Sequence, residues 1–133
     1  MNNYILRIAK DEWIRLVFGK KVYYTAMRRR WKPSSKILFV KRMDRGDSLI
    51  GYGIIDDIID LDDISGKERE LCLNNGWIKK LIFSKMIKFE PPILIKDTEI
   101  AEWPQKGALL HGAPITDEQL EEVIKLSKVR IAH

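Results

Sequence analysis

The sequence predicts one α+β domain in which about five to seven strands are flanked by short helices and followed by a C-terminal helix. Three observations predict it. The length of 133 residues is typical of a single domain with one continuous core. Runs of β-branched and aromatic residues alternate with turn residues, as in β-sheets. Other segments place apolar residues at helical spacing next to capping residues. We therefore expect residues 1–133 to fold as a single unit.

The first quarter of the chain predicts a strand, a helix and a second strand. Residues 4–8 are rich in strand-forming side chains, and residues 11–18 place their apolar side chains on one helical face. Gly19 is the expected end of this helix. Residues 21–26 then predict a strand, with Lys21, Tyr23 and Thr25 on the face that is more exposed to water.

A β-hairpin is the element that the local sequence indicates most directly. Residues 36–43 contain an apolar run, residues 44–47 are turn-forming, and residues 48–59 return as the second strand. Gly51 and Gly53 lie on the same face of that second strand. They favour a bulge or the close approach of a helix, and they lack the spacing of a dinucleotide-binding loop.

The second half of the chain predicts two more helices and a long strand. A helix is expected over residues 65–76 from a capping-box pattern and a terminal glycine, and a strand over residues 77–89 is interrupted by Pro91 and Pro92. Residues 103–112 form an irregular connection and a candidate binding loop. The capping box that begins at Thr116 starts the C-terminal helix.

Charge is unevenly distributed along the chain, whose formal net charge is +5. Residues 20–45, the basic segment, contain ten basic residues and one acidic residue. Residues 46–75, the acidic segment, contain eight acidic and two basic residues. This polarity would steer an anionic partner toward the basic segment if the two segments lie on different faces. The alternative is that the two segments neutralise each other across the hairpin.

RNA is the partner that the basic segment favours, because cations there alternate with aromatic side chains. Phosphates need cations, and unstacked bases need aromatic or arginine planes. The predicted nucleic-acid-binding residues are Lys20, Lys21, Tyr23, Arg28, Arg29, Arg30, Trp31, Lys32, Lys41, Arg42 and Arg45. The same residues also fit a structural interpretation, in which Tyr24 belongs to the core, Trp31 covers a strand end and the arginines form a solvated loop.

Other classes of site find little support in the sequence. Cys72 is the single cysteine, and the two histidines, His111 and His133, have no neighbour at metal-ligand spacing. We expect no metal and no cofactor. His111 can still donate a hydrogen bond to a ligand, although a loop histidine is the simpler interpretation. The sequence shows neither a signal-peptide pattern nor a membrane-spanning run, and a cytoplasmic protein is expected.

Several short motifs resemble the PUA-like superfamily. They are the Gly19-Lys20-Lys21 entry after a helix, the strand with Tyr23-Tyr24-Thr25, the run Ile37-Leu38-Phe39-Val40 and the return through Gly51-Tyr52-Gly53. Within the superfamily the chain resembles the ASCH and EVE branches, and most closely a small archaeal family. The resemblance implies a compact, curved β-barrel flanked by helices. It also implies a cleft that in relatives engages RNA or a modified base or nucleoside.

The resemblance also implies an enzymatic alternative. Some ASCH relatives carry the pattern Gly-x-Lys-x-x-Thr-x-Arg, which Gly19 and Lys21 begin, while Thr25 stands one residue late and Arg28 two residues late. In an ASCH-like amidohydrolase or ribonuclease, Lys21 would act as base or electrostatic stabiliser and Thr25 as nucleophile or orienting group. The two side chains share a face only if the strand is regular through both.

A third hypothesis is a non-catalytic protein-interaction module, for example a homodimer, built on apolar residues around Trp103. The three hypotheses differ in the cleft they require. An RNA-binding or nucleoside-binding domain predicts an open cleft into which Lys21, Trp31 and either Trp77 or Trp103 face. A simple surface binder predicts a filled barrel without such a cleft.

Overall fold

The computed structural model describes residues 3–131, and the side chains of residues 3–128. The helices are α1 (Asp11–Lys20), α2 (Gly66–Asn75) and α3 (Asp117–Ile131). The strands are β1 (Asn3–Arg7), β2 (Val22–Thr25), β3 (Lys36–Met43), β4 (Gly46–Asp60), β5 (Lys79–Leu94) and β6 (Pro114–Ile115). Short 3-10 turns lie at Leu61–Asp63, Ile95–Asp97, Glu99–Glu102 and Gly107–Leu110. No helix in this part of the chain has the length and apolar character needed to cross a membrane.

The six strands form one mixed sheet in the order β2-β5-β4-β3-β1-β6. The β1–β3 pair is parallel, and the other neighbouring pairs are antiparallel. The α+β class, the number of strands and the C-terminal helix are thus as predicted. The strands do not close into a hydrogen-bonded ring, because β2 and β6 are the two edges of the described sheet. Because β6 pairs only with Asn3 and Tyr4, the end of β1 lies beyond it, and a seam remains between that end of β1 and β2.

The two longest strands, β4 and β5, pair antiparallel along most of their length, with three register shifts. Pro91 and Pro92 fall within one shift, between the paired positions Lys88 and Ile93. The predicted interruption at these prolines was wrong. Proline has no N–H to give to a ladder, but it is accommodated where the register skips, so the strand continues beyond it.

Each face of the sheet carries a hydrophobic core. Adjacent residues of β1 alternate between them, with Ile5 in the core beneath α3 and Leu6 in the core beneath α1. Phe39 is fully buried in the α1 core, where its ring contacts the rings of Phe18 and Phe83 edge-on. Gly51 lies under Phe18, which confirms that this glycine admits a helix to the sheet.

The predicted capping signals are confirmed at the start of α3 and at the end of α2, but the capping box predicted to begin α2 was wrong, because Ser65 makes no side-chain capping hydrogen bond. Thr116 and Gln119 form the reciprocal capping box of α3, with bonds of 2.9 and 3.1 Å. Gly76 caps α2 with φ of 70°. The predicted end of α1 was wrong, because the helix includes Gly19 and ends at Lys20, and the residue that caps it is Lys21, in the left-handed conformation with φ of 59°. Lys21 is therefore a helix cap and not a strand residue.

Candidate nucleic-acid interface

A pocket of about 360 Å³ opens at the seam of the sheet. Its size falls within the range of small-molecule sites, about 300 to 1,000 Å³. The walls come from the end of β1, from α1, from β2, from the residues after α2 and from the turn before β6. The principal lining residues are Arg7, Trp13, Tyr23, Tyr24, Thr25, Met27, Asn75, Trp77 and His111. The seam thus joins residues that are far apart in the sequence.

One wall of the pocket is aromatic. The rings of Tyr24 and Trp77 are stacked, with centroids 5.0 Å apart and planes 7° apart. Trp13 meets Trp77 edge-on, at 5.2 Å and 70°. All three side chains are partly exposed. A planar ligand could therefore lie against this wall without displacing the core.

Two charged residues hold Tyr24 in the aromatic wall. The Tyr24 hydroxyl donates to Glu68 Oε2 at 2.5 Å, and Lys80 Nζ lies 2.6 Å from the same oxygen. Burial and, next, the Glu68 hydrogen bond raise the pKa of the Tyr24 hydroxyl. The bonds from Lys80 and from Tyr24 lower the pKa of the Glu68 carboxyl. Tyr24 therefore stays a neutral donor and Glu68 an ionised acceptor, which fixes the orientation of the ring.

On the opposite side of the seam, backbone hydrogen bonds give way to hydrogen bonds that involve side chains. Residues 112 and 113 exchange hydrogen bonds with Ile5, at 2.7 and 2.8 Å. At Arg7 the pattern changes. The Arg7 N–H donates to His111 Nδ1 at 2.9 Å, and the Tyr23 hydroxyl donates to the Arg7 carbonyl at 2.8 Å. Because Nδ1 accepts, the ring proton of neutral His111 is on Nε2.

The Arg7 side chain links the end of β1 to Asp47 and Gly107. Its Nη1 and Nη2 donate to the two carboxylate oxygens of Asp47, both at 2.9 Å, and Nη2 also donates to the Gly107 carbonyl at 2.7 Å. Arg7 Nε is buried without a hydrogen-bond partner among the described residues. The bond from Arg7 lowers the pKa of the Asp47 carboxyl. A fixed cation therefore lies beside the pocket, held in one orientation by a bidentate pair.

The loop that follows β2 carries exposed cations away from the pocket. Met27 lines the pocket, and the next residues, Arg28, Arg29 and Arg30, are exposed, as is Lys32. The Arg28–Arg30 run also borders a second, more open groove, which is lined too by Asp60 at the end of β4, by Asp62 in the turn after it and by Lys79 at the start of β5. The exposed cations of this loop therefore begin one residue beyond the lining of the pocket.

The two aromatic residues predicted to stack a base lie in different surroundings. Trp31 is only 8% exposed, its Nε1 donates to the Met27 carbonyl, and its ring packs edge-on against Tyr4. Tyr23 lines the pocket, but its ring packs against Phe39 and its hydroxyl is bound to Arg7. The Trp31 ring is therefore buried in the core, whereas Tyr23 lies between the core and the pocket and Tyr24 lines the pocket beside Trp77.

The predicted catalytic pair is separated. Lys21 is an exposed helix cap outside the pocket, whereas Thr25 lines the pocket and is 3% exposed. Thr25 Oγ1 accepts a hydrogen bond from the Met27 N–H at 3.0 Å. The two side chains do not share a strand face, because β2 begins one residue after Lys21. The structure therefore does not bring together the pair that the enzyme pattern required.

The other predicted cations divide into exposed and engaged residues. Lys20, Arg42 and Arg45 are exposed. Lys41 is 7% exposed, with its Nζ 3.0 Å from Asp11 Oδ1, so it is engaged within the protein. Trp103, considered as an interaction surface, packs against the core beneath α3 and lies outside the pocket.

One residue of the basic segment and three of the acidic segment form ion pairs within residues 3–128, in each case with a residue outside both segments. Across residues 3–128, no ion pair within 4 Å joins one segment to the other. Arg42 does lie opposite Asp47 across the hairpin, and its charge helps to lower the pKa of that carboxyl. Within the hairpin this is the position at which opposite charges of the two segments meet, and Arg28–Arg30 and Asp60 also line one groove. The described residues contain no group of three metal-ligating side chains that could hold a metal ion.

Structural comparison places this architecture among known folds. No family model matches the sequence, and no curated protein is significantly similar to it. The ASCH protein of Zymomonas mobilis superposes with a TM-score of 0.64 and 13% identity, over 92% of this chain and 93% of that one. The chain has the ASCH fold. A hypothetical protein from Leishmania major is also similar, with a TM-score of 0.60 and 12% identity over 98% and 96% of the two chains.

The ASCH fold agrees with the PUA-like resemblance of the sequence. A serine-to-alanine variant of the Zymomonas mobilis protein superposes equally well, with a TM-score of 0.65, 13% identity and coverage of 92% and 94%. At these identities the likeness extends to the fold. The residues that line the seam pocket are those of this chain, and the comparison assigns them no role.

The geometry of His111 predicts a loss of stability in mild acid. Burial, followed by the charges of Arg7 and Arg29, lowers the pKa of His111 from its usual 6.5. Below about pH 6.5 the unfolded chain therefore binds a proton that the folded chain resists, so the free energy of unfolding falls as the pH falls. Urea denaturation between pH 7.5 and 5.5 measures this decrease. His111→Asn should show a shallower decrease, and equal decreases in the two proteins would contradict the assignment.

Proposed function

We propose that this ASCH-fold domain binds RNA, or a modified base or nucleoside, by holding a base in the seam pocket and phosphates on the loop Arg28 to Lys32. The observation that carries the proposal is one juxtaposition. A pocket with a partly exposed aromatic wall is continuous, through Met27, with a loop of exposed arginines. Single-stranded nucleic-acid sites combine these two features, a stacking platform and a cationic path for the backbone.

The stacking step relies on the Tyr24–Trp77 wall. Stacking a base on an aromatic side chain contributes about 1 to 3 kcal/mol, and it tolerates any base because every base has a π-face. Tyr24 is fixed by Glu68 and Lys80, so little side-chain entropy is lost when a ligand arrives. The wall therefore favours binding of an unpaired base over binding of a duplex.

The phosphate step relies on cations that are available to solvent. Arg28, Arg29, Arg30 and Lys32 are exposed, and none of them has an ion-pair partner within 4 Å among residues 3–128. Each phosphate that they neutralise releases condensed counterions, so affinity falls as salt rises. The PUA-like resemblance supports the same partner, because clefts of its relatives engage RNA or modified nucleosides.

A titration of short single-stranded RNA at several salt concentrations tests the proposal. Trp77→Ala is expected to weaken binding about tenfold or more at every salt concentration, because it removes the stacking surface. Replacing Arg28, Arg29 and Arg30 with glutamine should instead reduce the slope of log K against log salt, by about one for each phosphate that is no longer neutralised. Fluorescence anisotropy of a labelled RNA provides the measurement.

Trp103→Ala is the matched control, because it removes the same side chain from outside the pocket. It should leave RNA affinity close to that of the parent protein, provided that circular dichroism shows both tryptophan variants to be folded. Absence of binding to single-stranded and structured RNA, or binding that does not depend on salt, would overturn the proposal. Equal effects of Trp77→Ala and Trp103→Ala would show that the base does not use this pocket.

A further inference from the structure

One ring nitrogen of His111 is committed to the fold, and the other is not. Nδ1 accepts the Arg7 N–H at 2.9 Å, whereas Nε2 makes no hydrogen bond within the described part of the chain and is not among its buried atoms without a partner, so it is accessible. His111 is partly buried and belongs to the lining of the seam pocket. Nε2 is therefore the polar atom of this residue that remains for a ligand.

The backbone N–H of Arg7 determines that His111 Nε2 is a hydrogen-bond donor. An amide N–H is a donor only, so the nitrogen facing it must carry a lone pair and the ring proton must be on Nε2. The usual ambiguity between two histidine tautomers is removed by a main-chain group that cannot change its role. The lowered pKa of His111 agrees with a neutral ring. Nε2–H is thus a donor of fixed position.

The electrostatic surroundings favour an electron-rich partner for that donor. Arg7 is a lining residue of the same pocket, and its guanidinium is held beside the pocket by Asp47 and the Gly107 carbonyl, close enough for its charge to lower the pKa of His111. Arg29 is close enough to His111 for its charge to lower the pKa of the ring. A carbonyl oxygen carries partial negative charge, while an amino group presents its hydrogens. The positive charges of Arg7 and Arg29 near His111 therefore attract a carbonyl oxygen and repel an amino group.

We propose that His111 Nε2–H recognises the edge of the bound base, so that the pocket selects a base with a keto oxygen over one with an amino group at that position. This inference rests on the proposed function. Uracil and guanine carry such a keto oxygen, whereas cytosine and adenine carry an amino group in its place. Meeting an amino group leaves two buried donors facing each other, and an unpaired buried donor is more unfavourable than a missing bond.

The experiment compares RNA hexamers of uridine and of cytidine. Both are pyrimidine strands with the same number of phosphates, so the arginine loop should contribute equally to the two affinities. The ratio of the affinities then measures recognition of the base edge. The parent protein is expected to bind the uridine hexamer about tenfold more tightly. Competition against one labelled RNA, followed by fluorescence anisotropy, measures the ratio.

Two substitutions separate the two nitrogens. His111→Asn places a carbonyl oxygen where Nδ1 accepts the Arg7 N–H, but it does not reach the position of Nε2. It should keep the melting temperature near that of the parent and reduce the uridine preference to about one. His111→Gln carries a donor near the position of Nε2 and leaves the Arg7 N–H without its acceptor. It should lower the melting temperature and retain part of the preference.

The outcomes separate this inference from the proposed function. Equal binding of the two hexamers by the parent protein, or a preference that survives His111→Asn, overturns recognition by His111 while RNA binding still stands. Failure of the parent protein to bind either hexamer overturns the proposed function itself. A preference lost in His111→Asn and partly kept in His111→Gln supports the assignment, because a purely structural histidine would give the opposite order.

Discussion

Replacing Gly51 with alanine is expected to lower the free energy of unfolding by about 3 kcal/mol, at the upper end of the usual effect of overpacking a core. A β-carbon at this position would lie 2.3 Å from the Ile87 carbonyl oxygen and 2.7 Å from the Phe18 ring. The carbonyl belongs to β5, which pairs with β4, so it cannot retreat without disturbing the ladder. Phe18 must also move, because it packs on this glycine from α1.

Gly19→Ala is the matched control for this prediction. Gly19 lies within α1, and nothing comes within 4 Å of the position that its β-carbon would take. Because glycine is unfavourable inside a helix, this variant should be more stable by about 0.5 to 1 kcal/mol. Urea denaturation of the three proteins measures both changes. A Gly51→Ala variant as stable as the parent would mean that α1 does not rest on the sheet at this point.

The same packing connects stability to the pocket. α1 contributes Phe18 to the core and Trp13 to the aromatic wall. A helix lifted away from Gly51 would carry Trp13 with it and change the edge-on packing against Trp77. We therefore regard Gly51 as a structural determinant of the site, although it is not among the residues that line the pocket in the described part of the chain.

Elements with local signals were predictable from the sequence. The strand over residues 36–43 has the predicted bounds, because an apolar run lies between a proline-containing loop and a turn. The α3 helix begins where the capping box at Thr116 places it. In both cases neighbouring residues determine the structure, so a sequence pattern is sufficient.

The conformation of Lys21 and the burial of Trp31 were not predictable in this way. Lys21 takes a left-handed conformation although a glycine stands two residues earlier, and its carbonyl accepts the Phe83 N–H from β5. Trp31 belongs to the core because Tyr4, on β1, lies against its ring. Both outcomes depend on interactions between distant segments, which outweigh local preference.

The pocket itself depends on topology. Arg7, Trp13, Trp77 and His111 come from four separate segments, and they meet because the sheet stays open between β1 and β2. The sequence drew attention to His111 and Trp77 as single residues, but it contained no pattern linking them to Arg7 or Trp13. Only the parallel pairing of β1 with β3 brings the end of β1 to this corner.

Asp47→Ala is expected to lower the free energy of unfolding by about 2 kcal/mol, the usual size for a hydrogen bond to a charged group, because the ion pair is only partly buried. The side chains of Arg7 and Asp47 are 21% and 15% exposed, so solvent screens the pair only in part. The variant would leave the Arg7 guanidinium bonded to the Gly107 carbonyl alone, with Nε still unpartnered among the described residues. A partly buried charge without its counterion accounts for the expected loss.

Asp44→Ala provides the control, because Asp44 is an exposed carboxylate in the turn three residues earlier. Its free energy of unfolding should change by less than about 0.5 kcal/mol. Arg7→Met combined with Asp47→Ala completes a double-mutant cycle. The double variant should be less destabilised than the sum of the single variants, since no unpaired charge remains. Additive losses would show that the two side chains do not stabilise each other.

The Arg7–Asp47 pair and His111 both make the free energy of unfolding fall as the pH falls. The pair loses a negative charge on Asp47, whereas folding disfavours a positive charge on His111. Because Arg7 lowers the pKa of the Asp47 carboxyl below its usual 3.8, the stabilisation is complete above that value and is lost as the pH falls through the lower, folded pKa. Asp47→Ala should therefore converge on the parent protein in strong acid. The difference between His111→Asn and the parent should instead change as the pH falls below about 6.5, the usual pKa of histidine. Urea denaturation across both pH intervals separates the contributions of the two residues to stability. It thereby tests whether the Arg7–Asp47 ion pair and the hydrogen bond from the Arg7 N–H to His111 stabilise the pocket independently.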